Sequence, residues 1–311
     1  MNVLCIDHIC HKKTKSFDFF VDILRAAGMS VDVYYYEQHY HVKPPRKLID
    51  WADTIVYLEF LPSRFRLLFP CKKTVYLPMY DNEWGSKWQW RRIAWSGMGV
   101  VSFSKKVSYH ARKCGVSNLL EVQYFLDPAR FPQRRGEPKR VFLWERGDID
   151  RHTAEILFPP SQGYVFDIKR PDEFLERDAY LNRIAKCEII IAPRRKEGIG
   201  MVFLEAMAMG KCVAAHDDAT MNEYIKSGEN GVLFNANRPV QVTYSIVSDV
   251  RESIIKHSID MWDKWRQDAE KIAPFVSGQC ICRPSYIDRL KMLLSFPMFV
   301  VEGIRQRLFA R

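Results

Sequence analysis

The sequence predicts an α/β protein built from two Rossmann-like units, each around a parallel sheet. Short apolar runs with strand character alternate with helical patterns along the chain, which is typical of parallel strands joined by crossover helices. The chain has 311 residues, 47% of them hydrophobic, enough for two medium-sized domains with full cores. Residues 127–140 are rich in Pro, Gly and charge and separate two such series. We therefore expect a linker there.

The first series predicts a complete sheet with its crossover helices. Strands are expected at residues 3–6, 30–36, 54–58, 74–77, 100–103 and 119–122. Helices are expected at residues 17–27, 48–52 and 107–114, the first of them ended by Gly28. The segment DHICHKKTKS, between the first strand and the first helix, is expected to be a loop.

The second series predicts another doubly wound sheet. Strands are expected at residues 141–144, 163–168, 188–192, 212–215 and 232–234, and helices at residues 179–185, 201–209, from about 220, and 251–272. Thr220 and Glu223 have the spacing of a capping box. The predicted domains are residues 1–135, residues 136–285, and a helical tail of residues 286–311 that packs on the first domain or on a membrane.

Charge is distributed unevenly between the halves. Residues 1–139 contain 22 Lys and Arg against 13 Asp and Glu, a net charge of +9, whereas residues 140–311 have a net charge of +1. A basic half favours an anionic partner: a nucleic acid, an anionic membrane surface or a phosphorylated substrate. A solvated basic surface without a specific partner is the alternative.

Other features of the sequence indicate a cytoplasmic protein. The eight cysteines include no CxxC pair, which favours a reducing compartment over a disulfide framework or a zinc site. The N-terminal MNVLCID has the pattern of a strand and not of a signal peptide. No apolar run approaches the roughly 18–20 residues needed to span a bilayer.

The chemistry is expected in residues 192–234. The run of residues 201–209 is apolar except for Glu205, which predicts a buried helix carrying one carboxylate that needs a partner. Gly198 and Gly200 precede this helix, and Glu197 lies eight positions before Glu205. Glycines leading into a helix N-terminus favour an anion site, here at Gly200 and Met201, because backbone N–H groups and the helix dipole point there.

The stretch EGIGMVFLEAMAMG resembles the signature of retaining glycosyltransferases of family 4. That signature has a Glu, seven intervening residues and a second Glu within LEAMA-x-G. The similarity extends upstream to IIIAP and downstream to NEYI-x-x-G-x-NG-x-L. The resemblance implies the B-type glycosyltransferase (GT-B) fold, with two Rossmann-like domains facing a cleft. Only about fifty residues separate Arg146 from Glu197, so the second domain is expected to be abbreviated.

The resemblance also implies roles for individual residues in a retaining, metal-independent transfer from a nucleotide-sugar. It assigns the nucleotide ribose to Glu205, sugar hydroxyls to Glu197, and the leaving diphosphate to Arg146 and Arg151. Thr220 or Asn222 could also face the donor. Each role has an alternative. Glu205 could pair with a buried arginine, and Glu197 could be a loop carboxylate without a ligand. Arg146 and Arg151 could be exposed loop arginines. We interpret Asp148 and Asp150 as loop residues and expect no metal and no cofactor.

Candidate acceptor-side residues lie in the first domain. Lys12 and Lys13 occupy the loop where the family often has glycines, and either meet an anion or are solvated. Tyr80 and Asp81 stand where the family often has a histidine.

Two segments suggest a membrane surface. Trp84, Trp88, Arg91 and Trp95 fall on one face of a predicted helix, and the tail FPMFVVEGIRQRLFAR is apolar and basic. Such faces can lie in a membrane interface, although core packing is the alternative. We hypothesise peripheral attachment to the inner face of the cytoplasmic membrane and a lipid-linked, diphosphate-bearing acceptor.

The leading hypothesis is a hexosyltransferase of bacterial surface-polysaccharide biosynthesis, such as that of lipopolysaccharide O-antigen or capsule. Another enzyme of the same fold, a sugar-nucleotide epimerase or a phosphorylase, is the nearest alternative. A basic nucleic-acid-binding protein is the alternative from another class. Because the sequence contains no recognisable nucleic-acid module, we expect no nucleic-acid partner.

Overall fold

The protein was analysed as a computed structural model that describes residues 1–37, 42–61, 72–83, 86–173, 175–248, 250–278, 286–295 and 297. The chain forms two compact units, one of Met1–Gln123 with Gln267–Arg311 and one of Tyr124–Arg266. Each unit contains one parallel sheet with helices, so the α/β prediction is confirmed. The boundary falls before the expected linker, and a new strand already begins at residue 137 within it.

The first sheet has the strand order β2-β1-β3-β4-β5-β6. Its strands are β1 (Asn2–His8), β2 (Ser30–Tyr36), β3 (Thr54–Glu59), β4 (Lys73–Pro78), β5 (Gly99–Ser102) and β6 (Leu119–Glu121). The chain builds β2 on one side of β1 and then β3 on the other. The sheet therefore has its topological switch point between β1 and β3, where the following loops diverge and leave a crevice.

Six helices of the described residues accompany this sheet in its N-terminal part. They are α1 (Ile9–Thr14), α2 (Asp18–Ala26), α3 (Arg46–Trp51), α4 (Tyr80–Glu83), α5 (Lys87–Ser96) and α6 (Lys105–Lys113). The prediction of a loop after β1 is wrong, because α1 forms there. The side chain of His8 accepts from the Cys10 N–H at its start, and Lys15 ends it in the left-handed conformation. Helix α1 buries no residue, so hydrophobic periodicity could not reveal it.

The second sheet has the strand order β11-β10-β9-β7-β8. Its strands are β7 (Glu137–Trp144), β8 (Val165–Lys169), β9 (Cys187–Ile191), β10 (Cys212–His216) and β11 (Val232–Phe234). Here the order reverses between β7 and β9. The second switch point therefore lies between the loops that follow these two strands.

The helices that follow β7 include the expected buried one. They are α7 (Arg151–Leu157), α8 (Arg177–Lys186), α9 (Met201–Ala208), α10 (Met221–Tyr224), α11 (Tyr244–Ser248) and α12 (Arg251–Ala269). All residues of α9 from Phe203 onward are buried, as its apolar sequence predicts. The predicted capping box at α10 is wrong. The Thr220 side chain makes no capping bond, and the Glu223 N–H instead donates to the Thr220 carbonyl at 3.1 Å.

Two further helices of the first unit lie in the described part of residues 267–311. Helix α13 (Ile272–Ser277) packs on β5, where the Phe275 ring lies against Gly99. Helix α14 (Tyr286–Leu294) packs on α5. Trp84 and residues 298–311, on which part of the membrane hypothesis rests, lie outside the described residues. Within the described ranges, no helix is both long and apolar enough to cross a bilayer.

Candidate functional site

The glycine-bearing loop after β9 leads into the N-terminus of α9. Gly200 is the N-cap residue with φ +80°, and a Cβ there would overlap the Phe203 ring. Both the backbone conformation and the contact therefore require glycine. A glycine N-cap has no side-chain oxygen to offer the first N–H groups of the helix, which begin at Met201. The anion site that the sequence predicts at this end of α9 stays a prediction.

Glu205 lies one turn inside α9 and is 2% exposed. Its Oε1 atom is 2.6 Å from Nη1 of Arg177, the first residue of α8. Burial raises the pKa of Glu205, and Arg177 and Tyr180 oppose the rise. An arginine partner was one of the alternatives, but this arginine is 57% exposed. The charge of the buried carboxylate is thus neutralised by an arginine whose own side chain is exposed to solvent.

Cations gather at the carboxyl ends of β7 and β8. The Arg146 guanidinium lies 4.8 Å from the centroid of the Trp144 ring, and Lys169 Nζ lies 4.1 Å from the same centroid. Burial lowers the pKa of Arg146, and the nearby charge of Arg194 lowers it further. Burial also lowers the pKa of Lys169, with Glu173 opposing it. Arg146 also lowers the pKa of Lys169. A cluster of cations such as Arg146, Lys169 and Arg194 is suited to an anionic ligand.

Glu197 lies in the loop after β9 and is 8% exposed. Its charge opposes the fall in the pKa of Arg146, which places the two side chains within electrostatic reach. Gly198, beside it, is buried. The switch point of the second sheet thus brings together a carboxylate, the cation cluster and the loop that enters α9.

Arg195 fixes the relation between the loops at this edge. Its Nη1 donates to Asn237 Oδ1 at 2.7 Å, and its Nε donates to the Asp148 carbonyl at 3.2 Å. It therefore ties the loop that carries Glu197 to the loop that follows Arg146. Neither Arg195 nor the cations Lys169 and Arg194 were selected from the sequence. The only signal was the basic run RRK directly before Glu197.

The structure does not place Arg151 among these cations. Its side chain is 62% exposed at the start of α7 and pairs with Glu155, with Nε 2.7 Å from Oε1. The neighbouring Asp150 accepts from the Thr153 N–H at 2.8 Å, which caps α7 and lowers the pKa of Asp150. Asp148 binds Arg195. Both aspartates thus have the loop roles that we expected for them.

Thr220, which follows β10, combines a buried side chain with a left-handed backbone φ. It is fully buried with φ +70°, and its Oγ1 has no hydrogen-bond partner among the described residues. Asn222, two positions later, donates from Nδ2 to Asp217 Oδ1 at 3.0 Å and is exposed. Of the two candidates, Thr220 thus carries a buried hydroxyl without a hydrogen-bond partner in the described part of the chain, whereas Asn222 faces solvent.

The acceptor-side candidates lie on separate elements of the first unit. Lys12 and Lys13 are on α1 and exposed, with Lys12 Nζ 5.8 Å from the Tyr35 ring centroid. Tyr80 is buried after β4, and its hydroxyl accepts from Lys106 Nζ at 2.9 Å. Asp81 follows it. Across the described ranges, no group of three or more His, Cys, Asp or Glu residues is arranged to hold a metal ion.

The two parallel sheets with their helices have the fold of B-type glycosyltransferases. Over 89% of this chain and 97% of the other, the structure is similar to a trehalose-6-phosphate synthase with a TM-score of 0.58 and 8% identity, which shows the fold. Residues 163–248, which contain Glu197 and Glu205, match the family Glycosyl transferases group 1. This stretch of the chain is thus similar to that family, while the narrower resemblance to retaining transferases of family 4 stays a prediction.

Two curated relatives match over shorter stretches. An uncharacterized glycosyltransferase of Methanocaldococcus jannaschii is 33% identical over 79 residues, which are 25% of this chain and 20% of the relative. An alpha-D-kanosaminyltransferase of Streptomyces kanamyceticus is 25% identical over 112 residues, which are 36% of this chain and 28% of the relative. The matches therefore span less than a third of either relative.

Proposed function

We propose that this protein is a glycosyltransferase that moves a sugar from a nucleotide-sugar donor to a hydroxyl of a glycan acceptor. The observation that carries the proposal is the arrangement at the second sheet. A buried glutamate stands on α9, whose N-terminus can accept an anion, and a cation cluster stands at the neighbouring strand ends. Each part matches one part of a nucleotide-sugar.

The diphosphate of the nucleotide-sugar is the part that binds the cation cluster. As the glycosidic bond breaks, its electron pair stays with the diphosphate, so negative charge grows there. Arg146, Lys169 and Arg194 stabilise that charge together with the N–H groups at the start of α9. Because these groups are already in place, little reorganisation is needed during the reaction.

The ribose suits Glu205. A carboxylate accepts hydrogen bonds from two vicinal hydroxyls, and a buried one does so with little competition from water. On binding, the ribose hydroxyls take the place of Arg177, whose exposed side chain turns to solvent. Glu197 takes hydroxyls of the transferred sugar from the loop that Arg195 anchors. Retention of anomeric configuration and independence of metal belong to this proposal and rest on the resemblance to family 4.

The acceptor side of the proposal is a lipid-linked glycan at the inner face of a bacterial cytoplasmic membrane, in surface-polysaccharide biosynthesis. Its support is the net charge of +9 in residues 1–139 together with helix α14. Among the described side chains of α14, those of Ile287, Leu290, Leu293 and Leu294 are apolar and exposed. On α5, Arg91 lies 5.1 Å from the Trp88 ring centroid, but Trp88 and Trp95 are half-buried. Such a surface fits an anionic interface.

Calorimetric titration of the full chain tests the donor site. UDP, GDP and ADP are titrated into the wild type, Glu205→Gln and Glu252→Gln, the last being a matched charge removal at an exposed position of α12. We expect one nucleotide to bind the wild type and the control alike, and Glu205→Gln to bind it at least about tenfold more weakly, about 1.4 kcal/mol. Equal binding by all three proteins would refute the assignment.

Sedimentation with liposomes tests the acceptor side separately. We expect the protein to sediment with vesicles of phosphatidylglycerol at low salt and to be released at high salt, because the attraction is electrostatic. Vesicles of phosphatidylcholine are the control. Absence of the protein from the phosphatidylglycerol pellet would contradict membrane attachment without touching the donor site.

A further inference from the structure

A recess lies at the edge of the second sheet opposite to the proposed donor site. It has a volume of about 300 Å³ and opens to solvent. Gly136, Glu188 and Lys211 line it at the amino ends of β7, β9 and β10, and Arg251 lines it from the first position of α12. The cations proposed to bind the donor follow the carboxyl ends of β7, β8 and β9 instead. The recess is therefore a different part of the unit.

Lys211 is the buried charge of this recess, with 1% of the residue exposed. Its Nζ donates to the carbonyls of Ala185 at 2.7 Å and Arg134 at 2.9 Å. An ammonium group has three N–H donors, and the third has no acceptor among the described residues. Burial lowers the pKa of Lys211 to about 8, helped by the charges of Arg251 and Arg134 and opposed by Cys187 and Glu188. A buried ammonium is costly without a counterion.

Two arginines add positive charge beside Lys211. Arg251 donates from Nη1 to the Gly210 carbonyl at 3.2 Å and from Nη2 to the Gln133 carbonyl at 3.1 Å. Like Lys211, it is bonded to main-chain oxygens and forms no ion pair with a carboxylate in the described part of the chain. Arg135, which also lines the recess, is exposed.

The carboxylate that lines the recess already has other partners. Oε2 of Glu188 accepts from the Lys139 N–H at 2.8 Å and from the Tyr244 hydroxyl at 3.0 Å. Three cations thus stand beside one carboxylate whose oxygens are engaged elsewhere. The recess keeps a net positive charge, which favours an anion.

We propose that Lys211, Arg251 and Arg135 form a binding site for a small oxyanion with two negative charges, such as a phosphate group. One oxygen of the anion accepts a hydrogen bond from the third N–H of Lys211, and the guanidinium groups supply further donors. The anion is then the counterion that the buried ammonium lacks. Lys211 follows the C-terminal end of α9, whereas the donor is proposed at its N-terminus.

The test is an NMR titration of the full chain with its lysines labelled at ¹³Cε, the Lys211 signal being assigned with Lys211→Met. The probes are inorganic phosphate, sulfate and glycerol 3-phosphate, with sodium chloride at equal ionic strength as the control. We expect at least one oxyanion to shift the Lys211 signal saturably and to raise the pKa of Lys211 above its value in chloride. Tighter binding of phosphate than of glycerol 3-phosphate identifies a free anion as the ligand, and the reverse order identifies a phosphate monoester.

Variants separate this site from a structural role and from the donor site. Arg251→Gln should weaken the binding about tenfold, since it removes a charged hydrogen-bond donor. Arg266→Gln, which breaks an exposed ion pair on the same helix, should leave the binding unchanged. Lys169→Gln should also leave it unchanged, because an anion on the donor-site cations does not touch Lys211. The site stands whether or not the protein is a transferase.

Three results would overturn the site. They are a Lys211 signal that no oxyanion shifts saturably, a shift that sodium chloride reproduces, and equal binding by Arg251→Gln and the wild type. In each case Lys211 and Arg251 only hold main-chain carbonyls together. Should Arg251→Gln misfold, Arg135→Gln replaces it, because Arg135 is exposed and weaker binding is again expected.

Discussion

Glu205 and Arg177 form an ion pair between a buried carboxylate and a guanidinium exposed to solvent. Their closest atoms are 2.6 Å apart, but the glutamate side chain is 2% exposed and the arginine side chain 57% exposed. A buried carboxylate that loses its partner becomes more costly to keep ionised. An exposed arginine loses little by returning to water. This asymmetry makes the pair exchangeable, which is what a ligand that replaces the arginine requires.

The first prediction concerns the stability of the empty protein. Arg177→Gln leaves the charge of Glu205 without its main partner, so we expect a loss of about 1 kcal/mol in the free energy of unfolding, reduced because the arginine is exposed. Urea unfolding is the measurement. Arg266→Gln is the control in the same unit, because Arg266 pairs with Asp263 and both are exposed. Equal losses of unfolding free energy in the two variants would contradict the claim that the buried carboxylate of Glu205 depends on Arg177.

A second prediction follows from Gly200. Gly200→Ala places a Cβ in the Phe203 ring at a φ of +80°. We expect it to destabilise the protein by about 2 kcal/mol or more and to remove nucleotide binding, since it disturbs the start of α9. Gly228→Ala is the control, with the same φ and open space around it. We expect only about 1 kcal/mol there and intact binding. Thermal unfolding and calorimetry measure both, and similar behaviour of the two variants would show that the site does not depend on Gly200.

The third prediction compares Lys169 and Arg194, which only the structure indicates, with Arg151, which the family resemblance assigns to the diphosphate together with Arg146. We expect Lys169→Gln and Arg194→Gln to weaken the binding of a nucleoside diphosphate about tenfold each, which is about 1.4 kcal/mol. We expect a smaller effect from Arg151→Gln, because Arg151 pairs with Glu155 on the solvent side. Binding of the nucleoside without phosphates should change in none of them. A loss confined to Arg151→Gln would restore the assignment made from the sequence.

A fourth prediction concerns pH. Burial lowers the pKa of His11 in the folded protein, but the carboxylates of Asp7, Glu59 and Asp81 outweigh it, so the pKa is raised. The imidazolium therefore stabilises the fold fully below the pKa of an unfolded histidine, about 6.5, and this contribution is lost as pH rises through the raised value. His11→Gln should lower the urea midpoint more at pH 5.5 than at pH 9. Titration by NMR should give a lower pKa for His11 in Asp7→Asn than in the wild type. If His11→Gln lowered the urea midpoint more at pH 9 than at pH 5.5, the claim that neighbouring carboxylates stabilise the protonated form of His11 would be contradicted.

Local patterns predicted much of this fold, and contacts between distant residues account for most of what they missed. Strand β2 and helix α9 follow from short-range hydrophobic patterns and from the glycines beside them, because burial requires such patterns. The α1 helix is polar and carries no such pattern. Lys169 and Arg194 lie far from Arg146 in the sequence and come near it only because β8 and β9 flank β7. The partner of Glu205 could likewise not be identified before α8 was placed.

The most direct test of the central claim is the release of nucleoside diphosphate from a panel of UDP-, GDP-, ADP- and dTDP-sugars by the full chain, with methyl glycosides as acceptors or with water alone. Wild-type protein and the control Glu252→Gln should release one nucleoside diphosphate at equal rates, and Glu205→Gln should release it at least about tenfold more slowly at subsaturating donor, about 1.4 kcal/mol in transition-state stabilisation. If none of the nucleotide-sugars is bound or cleaved, or if Glu205→Gln matches the wild type, the account is contradicted.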